Sequence, residues 1–153
     1  MQHELLKAGA ERATDVDASP AYIQVARGEA ERLGYGDRVT YHRGDFVALA
    51  SQLDSADIVT LDRVICCYPD AQALVSLSAA HARRFYGLIY PRSIWWVRLF
   101  RPIFNSYHRL RRSSYRFFVH APEQVDAILN TQGFRQVFRH TDFFWQVLLF
   151  ERA

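Results

Sequence analysis

Ala13-Thr14-Asp15-Val16-Asp17-Ala18-Ser19-Pro20 reads as a short buried strand that ends on a carboxylate and turns at once into a helix. Ser19 is a good N-cap and Pro20 is preorganised for the first helical position. The theme returns in Val39-Thr40-Tyr41-His42-Arg43-Gly44-Asp45-Phe46, and a third time in Ile58-Val59-Thr60-Leu61-Asp62. In an open α/β sheet, ligands lie outside the carboxyl ends of the strands, where strand order reverses. Three strand-end acids therefore predict a nucleotide crevice, with Asp17 placed to hold a ribose. Asp15 competes with Asp17 but belongs to the strand proper. The plainer reading is that Asp17 only helps a helix to start and that Gly44-Asp45 only makes a turn.

Punctuation and period supply the remaining elements. His3 to Gly9 reads as the last turns of a helix that exits at Gly9. Pro20 to Gly34 is an amphipathic helix with Ile23, Ala26, Ala30 and Leu33 on its inner face. Asp70 to Arg84 is a helix with a stripe of Leu74, Leu77 and His81. Phe85 to Tyr90 is a strand stopped by Pro91. Pro122 to Gln132 is a helix with Val125, Ile128 and Leu129 inward, and Gly133 ends it. Strands that alternate with helices predict parallel pairing. Phe134–Arg139 and Phe143–Phe150, however, are joined too closely for a crossover, so the last pair must be antiparallel.

The order of these motifs resembles the class I S-adenosylmethionine-dependent methyltransferases. The resemblance implies an α/β fold with a Rossmann-like sheet, mostly parallel, that closes in a C-terminal antiparallel hairpin. It also implies that Asp17, with Ala18 beside it, binds the ribose, that Asp45 accepts from the adenine amino group, and that Phe46 packs on the base. Asp62 and Arg63 fall to the methionine side of S-adenosylmethionine. A nicotinamide-dependent dehydrogenase shares the ribose acid but not Gly44-Asp45-Phe46 or the terminal hairpin, and ranks second.

One departure from the family pattern stands out. The family opens with a strand and a Gly-rich turn about 20 residues before the ribose acid, whereas only sixteen residues precede Asp17, with Gly9 their sole glycine. The expectation is a truncated chain: one methyltransferase domain, partial, over 1–153, lacking its first central strand and inactive alone. Loss of that strand would leave unpaired backbone edges and lower stability.

Composition separates one segment from the rest. The chain has a formal charge of +3, yet between Ala71 and Pro122 there is no Asp or Glu, while Arg83, Arg84, Arg92, Arg98, Arg101, Arg109, Arg111, Arg112 and Arg116 fall there. Trp95, Trp96, Phe100, Phe104, Tyr107, Tyr115, Phe117 and Phe118 are interleaved with them. Residues 92–120 therefore read as a basic, aromatic cap inserted in the domain, with a helix over Ile94 to Arg112 interrupted near Pro102. Guanidinium forks bind carboxylates and aromatic faces cover a flat apolar body. Tyr68, Arg92, Trp95, Trp96 and Arg98 are thus the candidate contacts to a small, anionic or amphipathic acceptor. Attachment to an anionic membrane surface or an RNA ranks behind that reading, and a bias toward arginine over lysine is the plain one. The run Asp62 to Asp70, with Tyr90-Pro91-Arg92 and Trp95-Trp96, is similar to the magnesium-protoporphyrin O-methyltransferase branch. Cys66-Cys67 departs from that branch's pattern.

A carboxylate acceptor needs no base. A hydroxyl or amine does, and Asp62, Tyr68 and His120 are the candidates. Cys66 and Cys67 read as small core thiols rather than nucleophiles. No zinc-ligand spacing, apolar span of membrane length or signal-peptide core is present, so a cytoplasmic enzyme without a metal is expected, with a small-molecule substrate and no DNA partner. The alternative from another class is a non-catalytic basic module that binds RNA, a membrane surface or a protein.

Overall fold

The structure, a computed structural model, describes residues 1–112 and 116–153. Tyr115 of the basic segment lies outside the described residues, and so does the side chain of Arg98. The chain divides into two compact units, Met1–Leu53 and Asp54–Ala153.

The first unit runs α1 (Gln2–Lys7), β1 (Ala13–Asp17), α2 (Pro20–Arg32), β2 (Val39–Arg43) and α3 (Phe46–Leu49). β1 and β2 pair in parallel, from Ala13 opposite Val39 to Asp17 opposite Arg43. Leu6, Ala30 and Val39 form the buried core, with Ala13, Tyr35 and Tyr41 packed against it. As expected, Ser19 caps α2, its side chain accepting from the Tyr22 N–H, and Pro20 opens it. Leu33 departs from the expected inner stripe: it caps the last turn and is exposed.

The second unit runs β3 (Ala56–Asp62), α4 (Ala71–Ala80), β4 (Ala82–Pro91), α5 (Trp95–Leu110), α6 (Pro122–Thr131), β5 (Phe134–Thr141) and β6 (Trp145–Arg152). Its sheet has the order β3-β4-β6-β5. β3 and β4 are parallel, and β6 is antiparallel to both of its neighbours. Among the described residues, β1 is paired with β2 alone and β3 with β4 alone. Parallel pairs followed by an antiparallel closing hairpin make this the mixed α/β fold of the Rossmann-like methyltransferases.

Leu74, Val75, Tyr86, Leu88, Leu129, Phe134, Leu148 and Phe150 fill the core of this unit. Within it the Ser78 hydroxyl meets the Tyr86 hydroxyl at 2.6 Å. The Arg152 guanidinium donates to the carbonyls of Ala79, Ala82 and Gln132 and lies 4.3 Å from the Phe134 ring centroid. One cation thus satisfies carbonyls near the exits of both α4 and α6, where helices leave them without partners.

Three expectations are corrected here. The helix expected to reach Arg84 stops at Ala80, because Ala82 already pairs with Ala56 and the Ala56 N–H donates to the His81 carbonyl at 2.9 Å. Its inner face is Leu74, Val75, Ser78 and Ala79, while Leu77 is exposed. α5 is continuous through Pro102 rather than interrupted there. Among the described residues no helix is long and apolar enough to cross a membrane.

Candidate functional site

In the first unit, both expected acids lie at the carboxyl end of one parallel strand pair. Asp17 is the last residue of β1 and Asp45 follows β2 by two positions. The turns that carry them are tied together, since the Gly44 N–H donates to the Asp17 carbonyl at 3.1 Å. Gly44 has φ +155°, a backbone conformation that L side chains rarely adopt, so glycine suits this turn. Asp17 is half-buried, and its Oδ1 accepts from the Ser19 N–H at 2.6 Å. The helix-starting role and a ligand role therefore fall on the same carboxylate, one oxygen serving the backbone. Asp45 is exposed and caps α3, its Oδ1 accepting from the Val47 N–H at 3.0 Å. Phe46 is half-buried directly after it, and Ala18 is exposed between Asp17 and Ser19. Asp15 is engaged elsewhere, accepting from Gln2 Nε2 at 3.0 Å.

In the second unit, the end of β3 gathers the other candidates. Asp62 closes the strand and pairs with Arg63 Nε at 3.1 Å. Arg63 adopts φ +58°, a left-handed conformation uncommon for a residue with a side chain, and its N–H is held by the Ile89 carbonyl at 2.8 Å. Its guanidinium lies 5.9 Å from the Trp145 ring centroid. A short 3₁₀ turn, Ile65–Cys67, follows, and segment 118–120 runs along it. Phe118 N–H donates to the Cys66 carbonyl at 2.7 Å, and His120 Nε2 reaches the Ile65 carbonyl at 3.1 Å. A carbonyl only accepts, so Nε2 carries the proton. Burial lowers the His120 pKa against the opposing pull of the Ile65 and Tyr68 backbone, which keeps the ring neutral near pH 7. Tyr68 is half-buried at the exit of the same turn.

His120 also borders a cleft of about 310 Å³, lined by Ala71, Gln72, Gln124, Val125, Ala127 and Ile128. The Cys66 thiol is buried, and its contact with Cys67 raises its pKa first, burial second. Cys67 is exposed, which corrects its placement in the core. The two sulfurs are 3.7 Å apart.

Among the described residues, the substrate candidates Arg92, Trp95 and Trp96 do not line the cleft beside His120. Arg92 donates through Nη1 to the Asp142 carbonyl at 3.0 Å, and Trp96 stacks on Phe143 with centroids 5.1 Å apart. Both serve the tip of the β5–β6 hairpin. Trp95 points into solvent, 76% exposed. Trp145 escaped the sequence reading, and Phe118 entered it only as one aromatic of the basic segment, without its contact to the end of β3. Trp145 lies more than 80 residues beyond Arg63, and no local signal in the sequence pairs the two.

A family model described as a methyltransferase domain matches residues 1–81, which carry α1 to α4 and all three strand-end acids. The chain belongs to the methyltransferase-domain family. The class I methyltransferase expected from the motif order, an S-adenosylmethionine-dependent enzyme, agrees with this match and with the solved structures of similar fold. Magnesium protoporphyrin IX methyltransferase from Synechocystis PCC 6803, with bound SAH, is similar at TM-score 0.70 and 19% identity, over 99% of this chain and 80% of that one. A putative methyltransferase from Bacillus halodurans C-125 has TM-score 0.65 and 15% identity, over 98% and 97% of the two chains. An O-methyltransferase family 2 protein from Planctomyces limnophilus DSM 3776, in complex with apigenin, has TM-score 0.66 and 17% identity, over 97% of this methyltransferase and 52% of that chain. At such identities the likeness is one of fold. A search of curated proteins finds no match.

Proposed function

We propose that this methyltransferase transfers a methyl group from S-adenosylmethionine to a small anionic or amphipathic acceptor. The observation that carries the reading is the coupled pair of strand-end turns in the first unit, where Gly44 N–H on Asp17 O sets two carboxylates at one end of a parallel pair. Carboxylates accept hydrogen bonds, and a ribose diol and an adenine amino group donate them, so this pair of acceptors matches an adenosine. Asp17 and Ala18 take the ribose, and Asp45 and Phe46 the base. Asp62 and Arg63 of the second unit stay as cofactor contacts on the strength of the family pattern.

S-adenosylmethionine supplies a methyl group on a sulfonium whose departure as a neutral thioether needs no proton. The protein's part is therefore to hold and orient the acceptor. A carboxylate acceptor is already nucleophilic. For a hydroxyl or amine, neutral His120 is the favoured base over Asp62 and Tyr68, because burial holds it unprotonated and it borders a cleft of small-molecule size. Tyr68, Arg92, Trp95, Trp96 and Arg98 remain acceptor contacts by the chemistry of the cap.

The test is calorimetric titration of S-adenosylmethionine into this chain and into a form extended at its N-terminus, with transfer of labelled methyl to carboxylate, phenol and amine acceptors as the second readout. Binding by either form supports the assignment. Binding by neither overturns it in favour of a non-catalytic module.

A further inference from the structure

Apart from Trp95, an acceptor candidate, the outer face of α5 has no role in the reading above. Trp95, Leu99, Ile103 and Tyr107 recur every fourth residue, and Leu110 follows on the same side. All five are turned to solvent: Leu99 is 60% exposed, Ile103 63% and Leu110 85%. Phe143 on the β5–β6 turn, 78% exposed, adds to the apolar surface through its stack on Trp96. The helix is nonetheless anchored on its other side. Val97 is buried, Phe104 meets Phe117 at 5.9 Å, and Asn105 exchanges two hydrogen bonds with the Phe117 backbone. A fixed helix that keeps so large an apolar face in water needs an occupant for it.

We propose that this face lies in the interface of an anionic lipid membrane. Charge selects the occupant. No acid occurs from Ala71 to Pro122, and the exposed Asp142 beside Phe143 is set against Arg92, which donates to its carbonyl, while Arg109 and Arg111 border the apolar face. Arg111 is held there, donating to the Tyr107 hydroxyl at 2.8 Å with its guanidinium 5.5 Å from that ring's centroid. An apolar face edged by arginine, with Trp and Tyr on it, is the arrangement of a helix that lies in the plane of a bilayer surface. RNA fits less well, because the middle of the face is aliphatic and Leu99, Ile103 and Leu110 give bases nothing to stack on. A second copy of the chain would set arginine against arginine with no acid between them. The inference does not rest on the identity of the methyl acceptor.

Flotation with vesicles of equal parts phosphatidylglycerol and phosphatidylcholine tests it, with pure phosphatidylcholine as the control. The chain should float with the anionic vesicles, weaken as salt rises, and show a blue-shifted tryptophan emission. Ile103→Asp and Leu99→Asp should each weaken binding about tenfold or more, by loss of apolar insertion. Arg109→Gln should weaken it about fivefold, the effect of one basic residue near an anionic surface. Thermal melts confirm that the variants fold, and the Arg109→Gln result stands if an aspartate variant does not. Absence of flotation at low salt overturns the proposal. So does equal flotation by wild type and Leu99→Asp. Binding of a polyuridylate oligonucleotide without flotation assigns the face to RNA and overturns it, and a dimer dissociated by Ile103→Asp without flotation assigns it to self-association.

Discussion

Replacing Asp17 separates its two duties. Oδ1 accepts from the Ser19 N–H at 2.6 Å at the start of α2, and the proposed ribose contact uses the carboxylate's remaining acceptor capacity. Asp17→Asn keeps a carbonyl oxygen for Ser19 but presents an NH₂ donor to donor hydroxyls and removes the charge. A hydrogen bond to a charged group contributes about 1.5–3 kcal/mol, so S-adenosylmethionine should bind about 10- to 150-fold more weakly while the fold is little changed. Asp17→Ala loses the backbone contact too and should lower stability by a further ~0.5–2 kcal/mol, the range for removing a helix-start acceptor. Calorimetric titration paired with thermal melts reads both quantities. An Asp17→Asn protein with wild-type affinity would remove this carboxylate from the site and leave it only its role at the head of α2.

Three further outcomes follow from the packing. Ser78→Ala strands the buried Tyr86 hydroxyl and should cost about 1–3 kcal/mol in urea melts, whereas Tyr86→Phe leaves Ser78 bonded to the Leu74 carbonyl and should cost less. The double variant should lose less than the sum of the two, and strict additivity would deny the contact. Arg152→Ala removes the donor shared by Ala79, Ala82 and Gln132 and should destabilise by roughly 2–3 kcal/mol; a melting midpoint unmoved from wild type contradicts the staple. The folded His120 pKa is lowered, so below the unfolded value of about 6.5 the unfolded chain binds more protons and stability falls with pH until the folded pKa is passed. His120→Asn should flatten the stability profile on the acid side of that value, and an unchanged slope there counts against a buried neutral ring.

The sequence alone determined the elements and the order of the acids. β-branched Thr14, Val16, Val39 and Thr40, Ser19-Pro20 as a cap and Gly34 as an exit are local signals that each residue carries in its own conformational preference, and they place β1, α2 and β2. The same holds for the closing hairpin, since a short connection leaves antiparallel pairing as the only geometry. Only the tertiary structure decided the rest. The end of α4 moved because sheet pairing with Ala56 captured Ala82, a contact between residues 26 apart in sequence that outweighs helix propensity. The left-handed Arg63, the Phe118 N–H on Cys66 and the neutral His120 likewise depend on neighbours distant in the chain. The face of α5 shows the division most plainly: its four-residue apolar spacing is written in the sequence, but whether that spacing is buried or left in water depends on what packs against it. Here Phe117 and Phe144 pack against the helix and leave Leu99 and Ile103 exposed.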